Sequence, residues 1–293
     1  MTAPAQTTAD NPARQRLLAS IPVTERRLDL AGISTAVLEG GSGPPVVLLH
    51  GPGAHAAHWF RVIPGLVTSH RVVAPDLPAH GASTVSNGSL DVDRMLTWLG
   101  ELIAATCPSP PVLVGHLMGG ALAARFASAS GDRVRGLVLV DTFGLVPFEP
   151  APAFGMAINR FLTEPNPDTH LELWRHCAND VERVRQDMGA MWQPFEAYNV
   201  DCAGSAELKP VIPMLIGEMM MKPIAEDVLA RISVPTTLIW GRQDVGNPLS
   251  VAEAASARHG WALRIIDRCA DDPPIEQPDA LLREMRPALE ASR

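Results

Sequence analysis

The sequence has few features of the kind that announce a partner or a compartment. Among 24 basic residues only Lys209 and Lys222 are lysine, and the 32 acidic residues give a net charge of −8 at neutral pH. With the acidic residues scattered along the chain, that balance argues against nucleic acid or an anionic membrane as partner. No apolar run approaches the roughly 18 residues that suggest a membrane span. The first residues lack a basic region followed by a hydrophobic stretch, so no secretory signal is expected. Cys107, Cys177, Cys202 and Cys269 show neither paired nor metal-type spacing, which suits reduced thiols and a cytoplasmic protein. The shortage of lysine beside abundant Ala, Pro and Gly looks like the product of a GC-rich bacterial genome.

What is present is apolar and periodic. At 293 residues and 46% hydrophobic content, the chain can bury one large core and an inserted subdomain. Segments 26–30 and 33–38 suggest an antiparallel hairpin closed by Ala31-Gly32. Short apolar runs follow at 45–50, 71–75, 111–115, 136–141, 235–240 and 263–267. They alternate with helical patterns near 91–106, 118–130, 249–258 and 278–290. Strands alternating with helices imply crossover connections, and so an α/β fold with a mostly parallel sheet covered on both faces. Ligands of such sheets lie outside the carboxyl ends of the strands.

Three regions depart from this rhythm. Residues 1–15, rich in Ala, Thr and Pro, read as a disordered leader. Residues 16–142 and 231–293 carry the alternating core. Residues 143–230 read as a helical cap, which holds seven of the eleven methionines, Trp174, Trp192 and the only tyrosine, Tyr198. Thioethers and large rings facing a pocket would favour a bulky, apolar small molecule. Met188 and Trp192 are the cap residues most expected on its wall, although a Met/Trp cluster can equally be the cap's own core.

The segment Val112-Leu113-Val114-Gly115-His116-Leu117-Met118-Gly119-Gly120 has the strand, tight turn and helix start in which Gly-x-Ser-x-Gly presents a nucleophilic serine. Further motifs are Val46-Val47-Leu48-Leu49-His50-Gly51-Pro52-Gly53, then Val73-Ala74-Pro75-Asp76-Leu77-Pro78-Ala79-His80-Gly81, then Leu238-Ile239-Trp240-Gly241-Arg242-Gln243-Asp244. The last is Pro273-Pro274-Ile275-Glu276-Gln277-Pro278. From about residue 22 to the C-terminus the chain resembles the α/β-hydrolase family, which implies the α/β-hydrolase fold with an inserted helical cap.

The resemblance also implies a Ser–His–acid triad, and two members are changed. Leu117 stands at the nucleophile position and has no lone pair or acidic proton. The family's histidine precedes the Pro-x-x-Glu-Gln-Pro segment by two residues, and that position is Asp271. The third member remains as Asp244, whose alternative reading is a turn cap. One oxyanion donor falls on Pro52, which has no N–H, leaving Gly51 or Gly53; the other would be the N–H of Met118 at a helix N-terminus.

Asp244 and Asp271 are therefore the expected catalytic pair, two carboxyls pressed together so that one holds its proton. The expected binding surface comprises His50, Gly51, Pro52, Gly53, His55, Trp59, His116, Leu117, Met118, Asp141, Met188 and Trp192. His116 and Asp141 have plain structural alternatives in packing and turn-capping. No cofactor is expected. No metal is expected either, because His55 and His58, three apart beside the Gly-rich turn, lack a third ligand spaced with them. These residues favour a non-hydrolytic, non-esterase enzyme of bacterial specialised metabolism. It would promote bond formation, cyclisation or proton transfer on a polyketide-like substrate. The alternatives are a catalytically silent small-molecule-binding protein and an atypical hydrolase.

Overall fold

Residues 11–85 and 89–291 are described in a computed structural model. A nine-stranded sheet runs in the order β1-β2-β4-β3-β6-β7-β8-β9, with the two-residue β5 paired to β2. The strands are β1 (Thr24–Leu30), β2 (Ile33–Gly40), β3 (Pro45–Leu49), β4 (Arg71–Pro75), β5 (Thr84–Val85), β6 (Val112–His116), β7 (Gly136–Val140), β8 (Thr236–Gly241) and β9 (Ala262–Ile266). The hairpin β1–β2 and the β2–β4 pair are antiparallel. From β4 to β9 every pairing along the path is parallel.

The apolar runs explain the middle of the sheet. Every residue of β3, β6 and β7 is buried, as expected of strands covered on both faces. The chain leaves β3 for β4 on one side and later returns to β6 on the other. The carboxyl ends of β3 and β6 thus flank a topological switch point, where the crevice of an open α/β sheet forms.

The principal helices are α1 (Pro12–Leu18), α2 (Val92–Thr106), α3 (Met118–Ala129), α4 (Pro152–Thr163), α5 (Pro167–Cys177), α6 (Val181–Met188), α7 (Trp192–Ala203), α8 (Leu249–His259) and α9 (Pro278–Ala291). Capping residues begin several of them. Asp91 accepts the N–H of Arg94 at the start of α2, and Asn166 with Thr169 forms a capping box before α5. Between β7 and β8 the chain runs through α4–α7 and a π-helical turn at Leu215–Met221 before rejoining the sheet.

The expected leader is corrected in part. Residues 1–10 lie outside the described residues, but Pro12–Leu18 is a helix. Asn11 caps it by accepting from Ala13 and Arg14, with Pro12 at the first position. Its Leu17 is fully buried and Arg14 nearly so, because the helix packs on α7. A seven-residue helix has too little periodicity to announce itself; the surface that stabilises it lies some 180 residues downstream. Among the described residues, no helix is long and apolar enough to cross a membrane.

Candidate active site

The floor of the site is the turn between β6 and α3. Leu117 sits there at φ 48°, ψ −111°, a conformation that side chains with a Cβ adopt only when their surroundings impose it. The imposition is visible in the glycines around it. A Cβ on Gly119 would fall 2.2 Å from the Leu49 carbonyl, and one on Gly115 would fall 2.5 Å from Gly119. The turn is also tied down by hydrogen bonds. Leu117 N–H donates to Val140, and its carbonyl accepts from Gly120, Ala121 and Phe143. The sharp elbow persists with a half-buried leucine at its apex.

Two loops rise on either side. After β3, Gly51–Ala54 leads into a 3-10 helix, Ala56–Arg61, anchored by Asp76, which accepts the Ala56 N–H at 2.6 Å. After β9, Cys269–Asp272 lies close against β8; a Cβ on Gly241 would meet the Ala270 carbonyl at 1.9 Å. His116 Nε2–H donates to the Asp271 carbonyl at 2.6 Å, joining the elbow to this last loop. Burial lowers the proton affinity of His116, so it is neutral at physiological pH.

The two loops meet in a buried hydrogen-bonded pair. His58, on the 3-10 helix, donates from Nε2 to the Asp272 carboxylate at 2.9 and 3.0 Å. Burial alone would raise the pKa of Asp272, but the charge and hydrogen bond of His58 outweigh it and bring it below the usual value. The His58 and His116 rings stack with centroids 5.9 Å apart. Ligand atoms of His58, His116 and Asp272 lie within 4.8 Å of one another, donor types that suit a divalent transition ion. Spacing along the chain offers His58 no third ligand, but in three dimensions its companions are His116 and Asp272 rather than His55.

Above the elbow is a cavity of about 180 Å³. Phe143, Phe148, Phe154, Phe161 and Trp174 supply much of its apolar wall, while His58, His116, Asp271 and Asp272 line it beside the floor. Of the expected surface, Gly51, Pro52, Gly53, His116 and Leu117 are on this wall, and so is Asp271. His50, His55, Trp59, Met118, Asp141, Met188 and Trp192 are not. His50 instead accepts the Leu77 N–H and donates to the Gly51 carbonyl. His55 donates to Asn199. Trp59 and Met118 are wholly buried. Met188 and Trp192 pack in the core with Trp174 and Phe195. Among the described methionines only Met220 reaches the cavity, and Met156 is 66% exposed.

The expected Asp244–Asp271 pair is rearranged. Asp244 Oδ1 accepts the N–H groups of Gly246 and Asn247 at 2.7 and 2.8 Å, and its charge bears on the neighbouring Asp141 carboxyl. Asp141, at φ 43° just past β7, also accepts the Gly241 N–H at 2.9 Å. Burial raises Asp244 to about 7 against the pull of its backbone donors, and burial plus the Asp244 charge raises Asp141. Asp271 is raised by burial and by the charges of Asp244 and Asp272. The shared-proton pair is Asp141–Asp244, because adjacent strands β7 and β8 deliver those two carboxyls side by side. Sequence reasoning missed Asp272 and the partnership of His58. The only available signal was the doubled aspartate at 271–272.

A family model for the alpha/beta hydrolase family matches residues 46–284. The chain belongs to that family. It is similar to the pimeloyl-[acyl-carrier protein] methyl ester esterase of Chromobacterium violaceum, 29% identical over 228 residues, covering 71% of this chain and 79% of the esterase. It is also similar to haloalkane dehalogenase 2 of Mycobacterium tuberculosis, 28% identical over 249 residues, covering 80% of this chain and 84% of the dehalogenase. Among solved structures it resembles the 2-hydroxy-6-oxo-6-phenylhexa-2,4-dienoate hydrolase of Rhodococcus, with a TM-score of 0.78, 25% identity, and 93% and 99% of the two chains covered. These relatives are named as an esterase, a dehalogenase and a hydrolase. They overturn the expectation of a non-hydrolytic, non-esterase tailoring enzyme, which took the changed residues at 117 and 271 as the loss of hydrolysis itself.

Proposed function

We propose that this protein is an atypical hydrolase in which water, rather than a side chain at position 117, attacks an apolar carbonyl substrate held in the cavity. One observation carries the reading. The cavity combines an apolar wall with three imidazoles, His58, His116 and His170, and the carboxyl groups of Asp271 and Asp272, beside an elbow whose apical residue has no nucleophilic atom. The hydrolytic names of the relatives support the reaction class.

The only thiol on the wall, Cys177, makes a poor substitute nucleophile. Burial and the charges of Asp271, Asp272 and Asp244 push its pKa well up, so it holds its proton. The opening N–H of α3 belongs to Met118, which has no carbonyl one turn back to bind, but Met118 is wholly buried and off the cavity wall. Gly53 faces the cavity at φ 69° in open space, in the loop where Pro52 offers no donor.

The cavity volume is close to the roughly 150 Å³ that accommodates a benzene ring in an apolar protein interior. The substrate class this supports is an ester or vinylogous ketone with an aryl or short acyl group buried against the phenylalanines. The remainder of a bulkier molecule would extend toward Ile212 and Ile216. The test is a panel of aryl and acyl esters, thioesters and dienoate ketones, assayed for turnover alongside the melting temperature. Turnover of apolar members is expected. Ligand-induced stabilisation with no turnover of any member would instead make the chain a binding protein.

A further inference from the structure

We infer that His58 and Asp272 are the acid–base dyad of this site, with the two partners exchanged between walls. The carboxylate comes from the loop after β9, where the resemblance expects a histidine. The imidazole comes from the 3-10 helix after β3. The inference rests on the hydrolytic reading above and names the groups that move its protons.

The hydrogen bonding fixes the tautomer. His58 Nε2 lies 3.0 and 2.9 Å from the two Asp272 oxygens, so it is the donating nitrogen, and in the neutral ring Nδ1 keeps its lone pair. That Nδ1 is buried and has no hydrogen-bond partner among the described residues. Buried polar atoms are nearly always satisfied, and an orphan calls for an explanation. His58 and Asp272 both line the cavity, so the pair stands at the wall where a substrate would lie. The ring cannot easily turn away. His116 stacks on it at 16°, Phe195 lies 5.6 Å from it and Trp174 6.5 Å. His58 and Asp272 are 3% and 6% exposed, which keeps bulk water from competing for the pair.

The proton balance is complete without another reagent. A water oxygen bonds to the substrate carbonyl carbon as its proton passes to His58 Nδ1, and the carbonyl oxygen becomes an oxyanion. Asp272 remains ionised and holds Nε2–H throughout. The tetrahedral centre then expels the leaving oxygen, which takes the proton from Nδ1, giving acid and alcohol. Asp271 plays a different part. Its carbonyl receives His116 Nε2–H, so it ties the elbow to the loop after β9.

A purely structural hydrogen-bonded pair would pin the same two loops, and the test separates the two roles. His58→Gln should reduce kcat/KM by 10² to 10⁴. Its stabilisation by benzoate, a product-sized probe, should stay within about twofold of wild type, and the basic limb of the pH–rate profile should disappear. Added imidazole should restore part of the activity of His58→Gly. Unchanged turnover in His58→Gln with a lowered melting temperature would overturn the dyad. So would loss of wild-type activity on chelation with recovery on adding zinc, since the three donors would then be metal ligands. An independent arm needs no substrate: ¹⁵N NMR should show His58 as the Nε2–H tautomer with an Nδ1 signal that shifts on benzoate binding. An insensitive Nδ1 would overturn the dyad even in an active enzyme, and a sensitive one would support it even if the substrate panel failed.

Discussion

Asp141 and Asp244, one residue past β7 and three past β8, are buried carboxyls close enough that the charge of Asp244 raises the proton affinity of Asp141. Each also accepts backbone N–H groups that hold the strand ends in place. Two acids so placed keep a proton between them, and folding therefore depends on pH through this pair.

The sign follows from linkage. Asp244 rises to about 7 in the folded protein, against roughly 3.9 for an unfolded aspartate, so the native state binds the extra proton. Its contribution is fully present below about pH 4 and is lost as pH rises toward 7. Urea titrations across pH 4–8 should show this contribution falling by a few kcal/mol at most. Asp244→Asn, which keeps the acceptor for Gly246 and Asn247, should flatten that slope and be relatively more stable at pH 8. An unaltered slope in the variant would show that the pair does not carry the proton.

The elbow gives a second expectation. A leucine held at φ 48° costs on the order of 1–3 kcal/mol, and its half-buried side chain returns part of that through apolar contact. Leu117→Gly should therefore change stability by less than about 1 kcal/mol in equilibrium unfolding. Leu122→Gly, in the buried interior of α3, should cost several.

Cavity occupancy can be tested without knowing the substrate. Ile158 is a half-buried residue on the wall, and Ile158→Phe adds volume where a ligand would sit. The variant should fold but lose the stabilisation by benzoate, which for the wild type is about 2.7 kcal/mol at a hundredfold excess over Kd. Equal stabilisation of both would place the ligand elsewhere.

Much of the sheet was legible because its strands are continuous apolar runs. Buried parallel strands need no alternation, so Val46–Leu49, Val112–Val114 and Leu137–Val140 announce themselves. The elbow was legible because its glycines are dictated by backbone contacts closer than any Cβ allows. The His58–Asp272 pair was not, since 214 residues separate its members and only the strand order makes neighbours of their loops. The cavity wall was misjudged for a related reason. Methionines look like pocket residues in a sequence, yet Met188 and Met219 fill the core, while phenylalanines at irregular spacing in Phe143–Phe161 face the cavity.

Cys177 offers a control on the nucleophile. With its pKa pushed well up, it should react slowly with iodoacetamide at neutral pH. Cys177→Ala should retain turnover within a few-fold, judged by steady-state kinetics. A loss of 10³ or more with the fold intact would make the thiol a participant.

The central claim is that hydrolysis proceeds without a bond between substrate and protein. The most direct measurement is a rapid-quench reaction of the wild-type protein with its best ester from the panel, read by intact-protein mass and by product release in the first turnover. The expected result is linear release with no burst and an unmodified protein mass at every time point. A burst of one equivalent accompanied by a stoichiometric acyl adduct would contradict the account and identify the residue that carries it.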